Sequence, residues 1–594
     1  MNKDHGYRNR IDKDAGKERG GAAKAMAPVL AMALALMLTF TSCGAGTVAE
    51  AASGNETVNS TESADNAVSK SEMFTERDLS GEYDESEAET ITLNGSSAKT
   101  SAASGVSVNG STVTITEEGV YIVSGTLKDG QIIVEADDTA KVQIVLKNAS
   151  VTSSDSAAIY VKSADKVFVT TAAGTENTLA NGGSFTAEGD TNIDGTVFAK
   201  DDITFNGSGS LTIDSPAGHG VVGKDDVKFA GGTYTITAAK HGVQANDSVR
   251  LAESDMTVTS GSYKDGIHVS DDADEEEGTE SDSFFYMADG SLTISSGDDG
   301  IHADAAVNIE GGTIVVNDSY EGIEGLSISI SGGSTTVTAS DDGLNAAGGN
   351  ASGGSKTFGS DDWGGGRGGF GDGGTNGSIA ISGGTVHVTA GGDGIDSNGS
   401  VEISGGYTVV EGPSQGDTSV LDYNGTASIS AGTFIGTGGA GMAESFSSAE
   451  QGCIAVNVGS QSAGSTVTLK NSSGDVIAET TPGLDYAVVY VSAQDMTKGE
   501  TYSLTAGSFS ESITLTDNLY TTLSGGMKGS FGGGGPRGGM SEDAGGEMNG
   551  GMNGDIGGEM RGGAPSGKMH GGQKHGERPD DITGATQLTG DEAV

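Results

Sequence analysis

The fold is decided by the stretch Val307-Asn308-Ile309-Glu310-Gly311-Gly312-Thr313-Ile314-Val315-Val316. Apolar and polar residues alternate on both sides of its glycine pair, which is typical of two short β-strands joined by a tight turn. The first half of this unit recurs at residues 328–334, 379–385 and 401–406. The chain therefore contains an internal repeat of strand, glycine pair and strand.

Each repeat closes with an acidic residue or a histidine, then a glycine, then an apolar residue. The glycines of these triplets are Gly220, Gly242, Gly266, Gly300, Gly322, Gly343 and Gly394. Their spacings are 22, 24, 34, 22, 21 and 51 residues, so the basal period is near 22. Three short strands with their turns account for that length, which is one rung of a β-helix. The sequence therefore predicts an all-β fold, a right-handed parallel β-helix. One interior column should contain Val221, Val243, Ile267, Ile301, Ile323, Leu344 and Ile395.

The chain around the repeat differs in composition. Residues 71–450 read as strands and are assigned to the β-helix, with an acidic insertion at 271–282 and a Gly/Ser-rich one at 347–377. Residues 451–524 carry strands spaced as in a small antiparallel β-sandwich. Residues 525–594 are rich in glycine and methionine without periodicity, which predicts a disordered tail.

The N-terminus has the pattern of an export signal. A basic region precedes an apolar run from Ala25 to Phe40, which is too short to span a bilayer as a helix. The run leads to Cys43 in a context that resembles the bacterial lipobox. We interpret residues 1–43 as a lipoprotein signal peptide with Cys43 lipidated, and residues 44–70 as a flexible linker. This predicts a cell-surface protein held by lipid alone on the extracellular face of the cytoplasmic membrane.

Charge indicates which partners to expect. The net charge of −52 argues against nucleic acid, and an acidic surface this dense stays solvated or holds cations. Asp265, Asp299, Glu321, Asp342 and Asp393 all precede a repeat glycine, and stacking would place neighbours about 4.8 Å apart. Because carboxylates at that spacing repel and calcium takes oxygen ligands, we predict that these residues and Asp396 bind calcium. The alternative is that they are solvated at turn tips. His219, His241, His268 and His302 are interpreted as polar residues of the repeat.

A family resemblance rests on several stretches together. The repeat, residues 199–209, the sandwich-like end and the opening Phe74-Thr75-Glu76-Arg77-Asp78-Leu79 resemble the clostridial carbohydrate-binding β-helix family. The resemblance covers residues 71–524. It implies a secreted or lipid-anchored protein, similar in shape to pectate lyases, with calcium on the helix and affinity for plant cell-wall polysaccharide.

These observations predict a non-catalytic protein that captures cell-wall polysaccharide, either cellulose or an acidic pectin-like polymer, with the help of calcium. Trp363 and Phe370, in the second insertion, are candidates for stacking on a sugar ring. One alternative is a surface adhesin or scaffold that binds protein or host glycan. A second is a polysaccharide lyase, which would need a basic residue near its calcium, for which Arg250 and Lys264 are the nearest candidates. The fold alone does not decide among these functions.

Overall fold

The structure is a computed structural model that describes residues 69–189, 191–270, 281–346, 377–414 and 418–523. The chain divides into two compact units, residues 1–75 and 76–594. Helix α1 (Lys70–Met73) belongs to the first unit, and helix α2 (Glu76–Leu79) begins the second. In the described ranges, neither helix nor any other is long and apolar enough to cross a membrane. The predicted signal peptide, the whole of the predicted tail, nearly all of the linker and most of both insertions lie outside the described residues.

The second unit consists of short strands in chain order. Those before the regular rungs are β1 (Glu89–Gly95), β2 (Ala98–Thr100), β3 (Val106–Asn109), β4 (Thr112–Ile115), β5 (Gly119–Leu127), β6 (Gln131–Glu135), β7 (Lys141–Ser153), β8 (Ile159–Ser163), β9 (Lys166–Thr171) and β10 (Glu176–Asn181). The first regular rungs contain β11 (Gly195–Ala199), β12 (Asp202–Gly207), β13 (Ser210–Ser215), β14 (His219–Gly223), β15 (Asp226–Ala230), β16 (Thr233–Ala238), β17 (Val243–Ala245), β18 (Ser248–Ala252), β19 (Asp255–Ser262), β20 (Ile267–Val269), β21 (Phe284–Met287) and β22 (Ser291–Gly297). The later rungs contain β23 (Ile301–Ile309), β24 (Thr313–Asp318), β25 (Ile323–Ile330), β26 (Ser334–Ala339), β27 (Leu344–Ala346), β28 (Ser378–Ile381), β29 (Thr385–Ala390), β30 (Ile395–Ser397), β31 (Ser400–Ile403), β32 (Tyr407–Glu411), β33 (Leu421–Tyr423), β34 (Thr426–Ile429) and β35 (Thr433–Gly438). The C-terminal strands are β36 (Ser448–Ala449), β37 (Cys453–Gln461), β38 (Val467–Lys470), β39 (Val476–Thr480), β40 (Tyr486–Ser492), β41 (Thr501–Ala506), β42 (Phe509–Thr514) and β43 (Leu519–Thr521).

Each regular rung contributes one strand to each of three parallel sheets. Sheet 1 contains β4, β6, β8, β11, β14, β17, β20, the first parts of β23 and β25, then β27, β30 and β33. Sheet 2 contains the first part of β7, then β9, β12, β15, β18, β21, the second parts of β23 and β25, then β28, β31 and β34. Sheet 3 contains β10, β13, β16, β19, β22, β24, β26, β29, β32 and β35. The prediction of an all-β parallel helix is confirmed, and a right-handed turn is the one that parallel crossovers adopt.

The core lies between the three sheets. The seven residues of the predicted apolar column are register partners from rung to rung, and all are fully buried. Inward-facing residues of the other two sheets, such as Val307 and Ile314, belong to the same cluster. Because the core repeats with every rung, a chain with only 5% aromatic residues can fill it with Val, Ile and Leu.

Glycines form the corners for two different reasons. In the pair Gly332-Gly333, which turns the chain from sheet 2 to sheet 3, the second residue has a φ of +74°. Glycine adopts that left-handed conformation without strain, as predicted for the glycine pairs. Gly343 is needed for space instead, because a Cβ there would lie 2.1 Å from Cγ1 of Val388 on sheet 3.

The predicted sandwich-like end is confirmed, and it shares a strand with the β-helix. Strands β38, β39, β41 and β42 form a four-stranded antiparallel sheet. The facing layer includes β40, which pairs antiparallel with β37 and with β35 of the last full rung. Along β40, Val488 and Tyr490 belong to the helix core, whereas Val489 and Val491 belong to the sandwich core. This arrangement covers the last edge of sheet 3, which would otherwise be free to pair with another chain.

Candidate functional site

Sheet 1 carries two polar columns, which together we call the polar face. The pre-glycine column consists of His219, His241, Asp265, Asp299, Glu321, Asp342 and Asp393. The outer column, two residues after each glycine position, consists of Gln244, His268, His302, Glu324, Asn345, Asp396 and Asp422, which are successive register partners. All six residues predicted to bind calcium lie in these columns. The structure therefore brings them onto one face, about 4.8 Å apart from rung to rung.

Side chains of the pre-glycine column bond to the backbone of the next rung. Asp265 Oδ1 accepts a hydrogen bond from the N–H of Asp299 at 3.1 Å. Asp342 Oδ1 accepts one from the N–H of Asp393 at 2.6 Å, and Asp393 accepts one from the N–H of Ser419. Asp265 and Asp299 are only 4% and 6% exposed, so these two carboxylates are not solvated turn tips. Each of these hydrogen bonds satisfies one backbone N–H that has no partner in the hydrogen-bond ladder between strands. The sequence does not reveal this structural role.

Four histidines stack at the N-terminal end of the polar face. The ring centroids are 5.1 Å apart for His219 and His241, 4.3 Å for His241 and His268, and 5.0 Å for His268 and His302. Burial lowers the pKa of His241 to about 4, which favours its neutral form. From the sequence, these histidines were interpreted only as polar residues of the repeat. In the fold, their rings form one continuous stack.

A first group of donor atoms converges on Asp265. Its Oδ2 atom lies 3.3 Å from Nδ1 of His241 and 2.6 Å from Nδ1 of His268. The backbone N–H of Asp265 also donates to Nδ1 of His241 at 3.0 Å. One donor atom from each of these three residues lies within 4.8 Å of the others, which is close enough for a shared metal ion.

A second group surrounds His302. Nδ1 of this ring lies 3.5 Å from Asp299 Oδ2 and 2.5 Å from Glu324 Oε2, and Nε2 lies 3.0 Å from Asp304 Oδ1. Burial opposes protonation of His302, but hydrogen bonds to the three carboxylates outweigh it and raise its pKa well above the ordinary value. A protonated imidazole therefore neutralises part of the acidic cluster on this rung. Asp299, His302 and Glu324 also meet the distance condition for a metal ion, as do Asp265, Asp298 and Asp299.

The next rungs carry carboxylates that repel one another. Burial, reinforced by neighbouring carboxylates, raises the pKa of Glu321 to about 9, of Asp342 to about 7, of Asp393 to about 8 and of Asp396 to about 6. Asn345 donates from Nδ2 to Glu321 Oε2 at 2.7 Å, while its buried Oδ1 has no hydrogen-bond partner among the described residues. A divalent cation would relieve the repulsion between these carboxylates, and Oδ1 of Asn345 could coordinate it. The donor set here, which we call the carboxylate end of the polar face, therefore fits calcium.

A further acidic group, at the turn from sheet 1 to sheet 2, was missed by the sequence analysis. Burial and the charges of Asp226 and Asp225 raise the pKa of Asp202 to about 7. Burial also raises the pKa of Asp247, which lies on the rung after Asp226. The signal in the sequence is the Asp-Asp pair at 201–202 and again at 225–226, one rung apart. Taken singly, each pair reads as ordinary turn residues.

The part of the opening motif that belongs to the second unit, residues 76–79, is anchored on the outer face of sheet 2. Asp78 of α2 is fully buried, with Oδ1 lying 2.7 Å from Nζ of Lys166 and accepting from Thr204 Oγ1 at 2.8 Å. Its Oδ2 lies 3.7 Å from Nζ of Lys228, which is itself 1% exposed. The guanidinium of Arg77 lies 4.5 Å from the ring centroid of Phe168. Within the second unit, the motif therefore serves to hold α2 on the β-helix.

The candidate sugar-stacking residues Trp363 and Phe370, and the candidate lipidation residue Cys43, lie outside the described residues and stay predictions. Two other aromatic side chains are exposed beside the pre-glycine column, Tyr263 at 59% and Tyr320 at 46%. Both lie in the turn from sheet 3 to sheet 1, and they are two rungs apart. Tyr263 has a φ of +61°, which is unusual for a bulky residue. Backbone conformations of this kind are concentrated at functional sites.

Comparison with known proteins extends these observations. Residues 109–364 match the model of a family described as carbohydrate-binding domain-containing protein. A protein of that description from Acetivibrio thermocellus is 36% identical over 136 residues, which are 23% of this chain and 48% of the relative, so the chain spans about half of that relative's length. A polysaccharide lyase-like protein from C. thermocellum, solved as a gadolinium derivative, is 30% identical, with 39% of this chain and 91% of that chain covered and a TM-score of 0.36. The family match and the clostridial relative confirm the resemblance to the clostridial carbohydrate-binding proteins that the sequence predicted.

Proposed function

We propose that this protein is a non-catalytic lipoprotein that captures cell-wall polysaccharide at the bacterial cell surface, with calcium bound to its β-helix. One observation carries the proposal: the residues that match the carbohydrate-binding family, 109–364, include most of the polar face of sheet 1. A face that repeats its polar groups with every rung suits a polymer that repeats its sugars.

Calcium would be held at the carboxylate end by Glu321, Asp342, Asp393 and Asp396, with the amide oxygen of Asn345. When bound, the ion supplies positive charge and further coordination positions for oxygen ligands. This matters because a chain of net charge −52 would otherwise repel an acidic polymer. The two remaining predicted ligands, Asp265 and Asp299, already contact histidines and are less suited to a hard cation.

Tyr263 and Tyr320 are suited to contact the sugar. Two rungs separate them, so they lie about 10 Å apart along the helix axis. This separation would let the two rings stack on two different sugars of one extended chain. A hydrogen bond to Asp341 is the main cause that raises the pKa of Tyr320, and it also restrains the ring. Trp363 and Phe370 stay candidates for additional stacking.

Binding without cleavage is favoured over lyase activity by the state of the basic residues. Lys228 is buried between Asp78 and Asp226, with its Nζ 3.7 Å and 3.6 Å from their carboxylates. Arg250 donates to Asp226 at 3.0 Å and to Ser248 at 2.8 Å. Lys228 and Arg250, held in this way, are poorly placed to take a proton from a sugar ring. The other candidate base, Lys264, has its Nζ 3.5 Å from Nε2 of His241, and it is the residue that the lyase alternative would use. Release of unsaturated uronate, measured by ultraviolet absorbance, would contradict the non-catalytic proposal.

The lipid anchor is a separate part of the proposal. It rests on the apolar run before Cys43 and on the small residues beside that cysteine. Cys43→Ala should move the protein from the membrane fraction to the medium or the soluble fraction. Retention of this variant in the membrane fraction would contradict attachment through Cys43.

Binding can be tested with soluble protein that lacks Cys43, by sedimentation with insoluble cellulose and with immobilised polygalacturonate. Each polymer is tested in calcium and in chelator. The double variant Tyr263→Ala/Tyr320→Ala removes the proposed stacking pair. Tyr407→Ala is the matched control, because Tyr407 is 41% exposed but lies on sheet 3 away from the polar face.

We expect retention in calcium, loss in chelator, and weaker retention of the double variant than of the control. Equal retention of the double variant and of the Tyr407→Ala control would show that Tyr263 and Tyr320 do not contact the sugar. No retention on either polymer under either condition would contradict polysaccharide capture and favour the adhesin or scaffold, for which a glycan array is the next measurement.

A further inference from the structure

The N-terminal end of the polar face differs chemically from the carboxylate end, because imidazoles stand beside the carboxylates. We propose that His241, Asp265 and His268 form a binding site for a divalent transition-metal ion, for which Zn²⁺ is the probe. The site is distinct from the carboxylate end, where the proposed function places calcium, although it includes Asp265, which the sequence alone assigned to calcium. Two imidazole nitrogens and one carboxylate oxygen are a donor set that zinc takes, whereas calcium prefers oxygen ligands alone.

The distances suit an ion with short bonds. Bonds of about 2.0–2.1 Å in a tetrahedral site place ligand atoms roughly 3.3 Å from each other. Asp265 Oδ2 and His241 Nδ1 are 3.3 Å apart. Asp265 Oδ2 and His268 Nδ1 are 2.6 Å apart, which is the length of a hydrogen bond. Binding would replace the proton of that bond with the ion and lengthen the contact. It would also turn the stacked rings of His241 and His268, whose planes lie 21° apart, so that both nitrogens face the ion.

The two nitrogens of His241 differ in their surroundings, because Nε2 lies 3.5 Å from Nζ of Lys264 whereas Nδ1 faces the Asp265 carboxylate. Nδ1 accepts the N–H of Asp265 at 3.0 Å, so it carries no proton in that contact. The same nitrogen faces Asp265 Oδ2 at 3.3 Å, and a carboxylate oxygen is an acceptor too. If Nδ1 were protonated to satisfy the carboxylate, the backbone N–H would lose its acceptor. No neutral tautomer satisfies both contacts. A cation coordinated by Nδ1 and the Asp265 carboxylate would remove the repulsion between these two acceptors, and the backbone N–H of Asp265 would then give up Nδ1 as its acceptor.

The neighbouring group at His302 shows the contrast. Its ring has a carboxylate oxygen near both nitrogens, at 2.5 Å from Nδ1 and 3.0 Å from Nε2. A protonated imidazole satisfies these contacts without a metal ion. The proposal is therefore restricted to the group around Asp265. There the side chain of His268 is 22% exposed, which gives an ion access from solvent.

The test is titration of the full chain with zinc chloride by calorimetry, in buffer that already contains saturating calcium. His268→Gln removes one ligand, and the preceding rung carries Gln244 at the same position, so the fold accepts this side chain. His387→Gln is the matched control, because His387 is an exposed histidine on sheet 3. Zinc bound by His570 or His575 near the C-terminus would be the same in all three proteins.

We expect His268→Gln to lose one zinc-binding event or to bind it at least about 10-fold more weakly, and His387→Gln to match the unsubstituted chain. His241→Gln gives an independent check on a second ligand. Unchanged zinc stoichiometry and affinity in both His268→Gln and His241→Gln, with folding confirmed by circular dichroism, would overturn the site. Displacement of the bound zinc by excess calcium would overturn its assignment to a transition metal.

Discussion

A single carboxylate, Asp78, pairs with two lysines on the outer face of sheet 2, and one of them, Lys228, also lies 3.6 Å from Asp226. Asp78, Lys166 and Lys228 are all at least nine-tenths buried, and Thr204 donates a further hydrogen bond to Asp78. Burial lowers the pKa of Lys228, yet Asp78 and Asp226 act in the opposite direction and favour its charged form. The arrangement is stable as a unit and becomes costly when one member is removed.

Asp78→Ala should therefore lower the free energy of unfolding by about 3–5 kcal/mol, because it leaves buried ammonium groups without their shared counter-ion. The measurement is urea denaturation followed by circular dichroism. Asp138→Ala is the control, since Asp138 is exposed in a turn, and we expect a change within about 0.5 kcal/mol. A cost for Asp78→Ala no greater than that of the control would show that α2 contributes little to the stability of the β-helix.

Strand β40 joins two cores, and this explains its composition. The run Ala487-Val488-Val489-Tyr490-Val491 has no polar residue, unlike the alternating strands of the rungs. Successive side chains of a strand point to opposite faces, so an unbroken apolar run means that both faces are buried. One face of β40 packs into the helix core and the other into the sandwich core.

Val489→Thr should cost about 1–3 kcal/mol, because it places a hydroxyl in the sandwich core without an assured partner. Val476→Thr makes the same chemical change at a strand position that is 53% exposed, so we expect almost no effect. Chemical denaturation of both variants checks the difference. Equal stabilities would mean that the sandwich layer is loosely packed against β40.

The strands and the cores could be predicted from the sequence, because each follows from a local residue pattern or from a repeat of short period. The interior column from Val221 to Ile395 follows from the spacing of the glycines, and the sandwich follows from a change of strand pattern. The ion pair between Asp78 and Lys166 joins residues far apart in the chain, and no periodicity marks it. The bonds from Asp265 and Asp342 to the next rung were equally hidden, since a repeated acid before glycine fits a turn, a metal ligand or a backbone acceptor.

On the scale of the whole molecule, negative charge is concentrated at the carboxylate end of the polar face, where carboxylates of successive rungs stack. Stacking adds one carboxylate to the carboxylate end with nearly every rung, and burial keeps water from screening the repulsion. The folded pKa values of Glu321, Asp342, Asp393 and Asp396 range from about 6 to about 9, above the ordinary values of 4.5 for Glu and 3.8 for Asp. Between about pH 4 and pH 9, the folded state therefore binds more protons than the unfolded state, and the stability of the calcium-free protein falls as pH rises.

Calorimetric melting in chelator should therefore give a melting temperature at least about 5 °C lower at pH 8 than at pH 5. Calcium binds the deprotonated carboxylates, so it should raise the melting temperature far more at pH 8 than at pH 5, and calcium at 100 times its dissociation constant adds about 2.7 kcal/mol. Asp393→Asn removes one of the repelling charges and should reduce both the loss of stability at pH 8 and the gain from calcium. A chelated protein that melts at the same or a higher temperature at pH 8 would show that these carboxylates do not repel one another in solution. That result would remove the electrostatic reason for placing calcium at the carboxylate end.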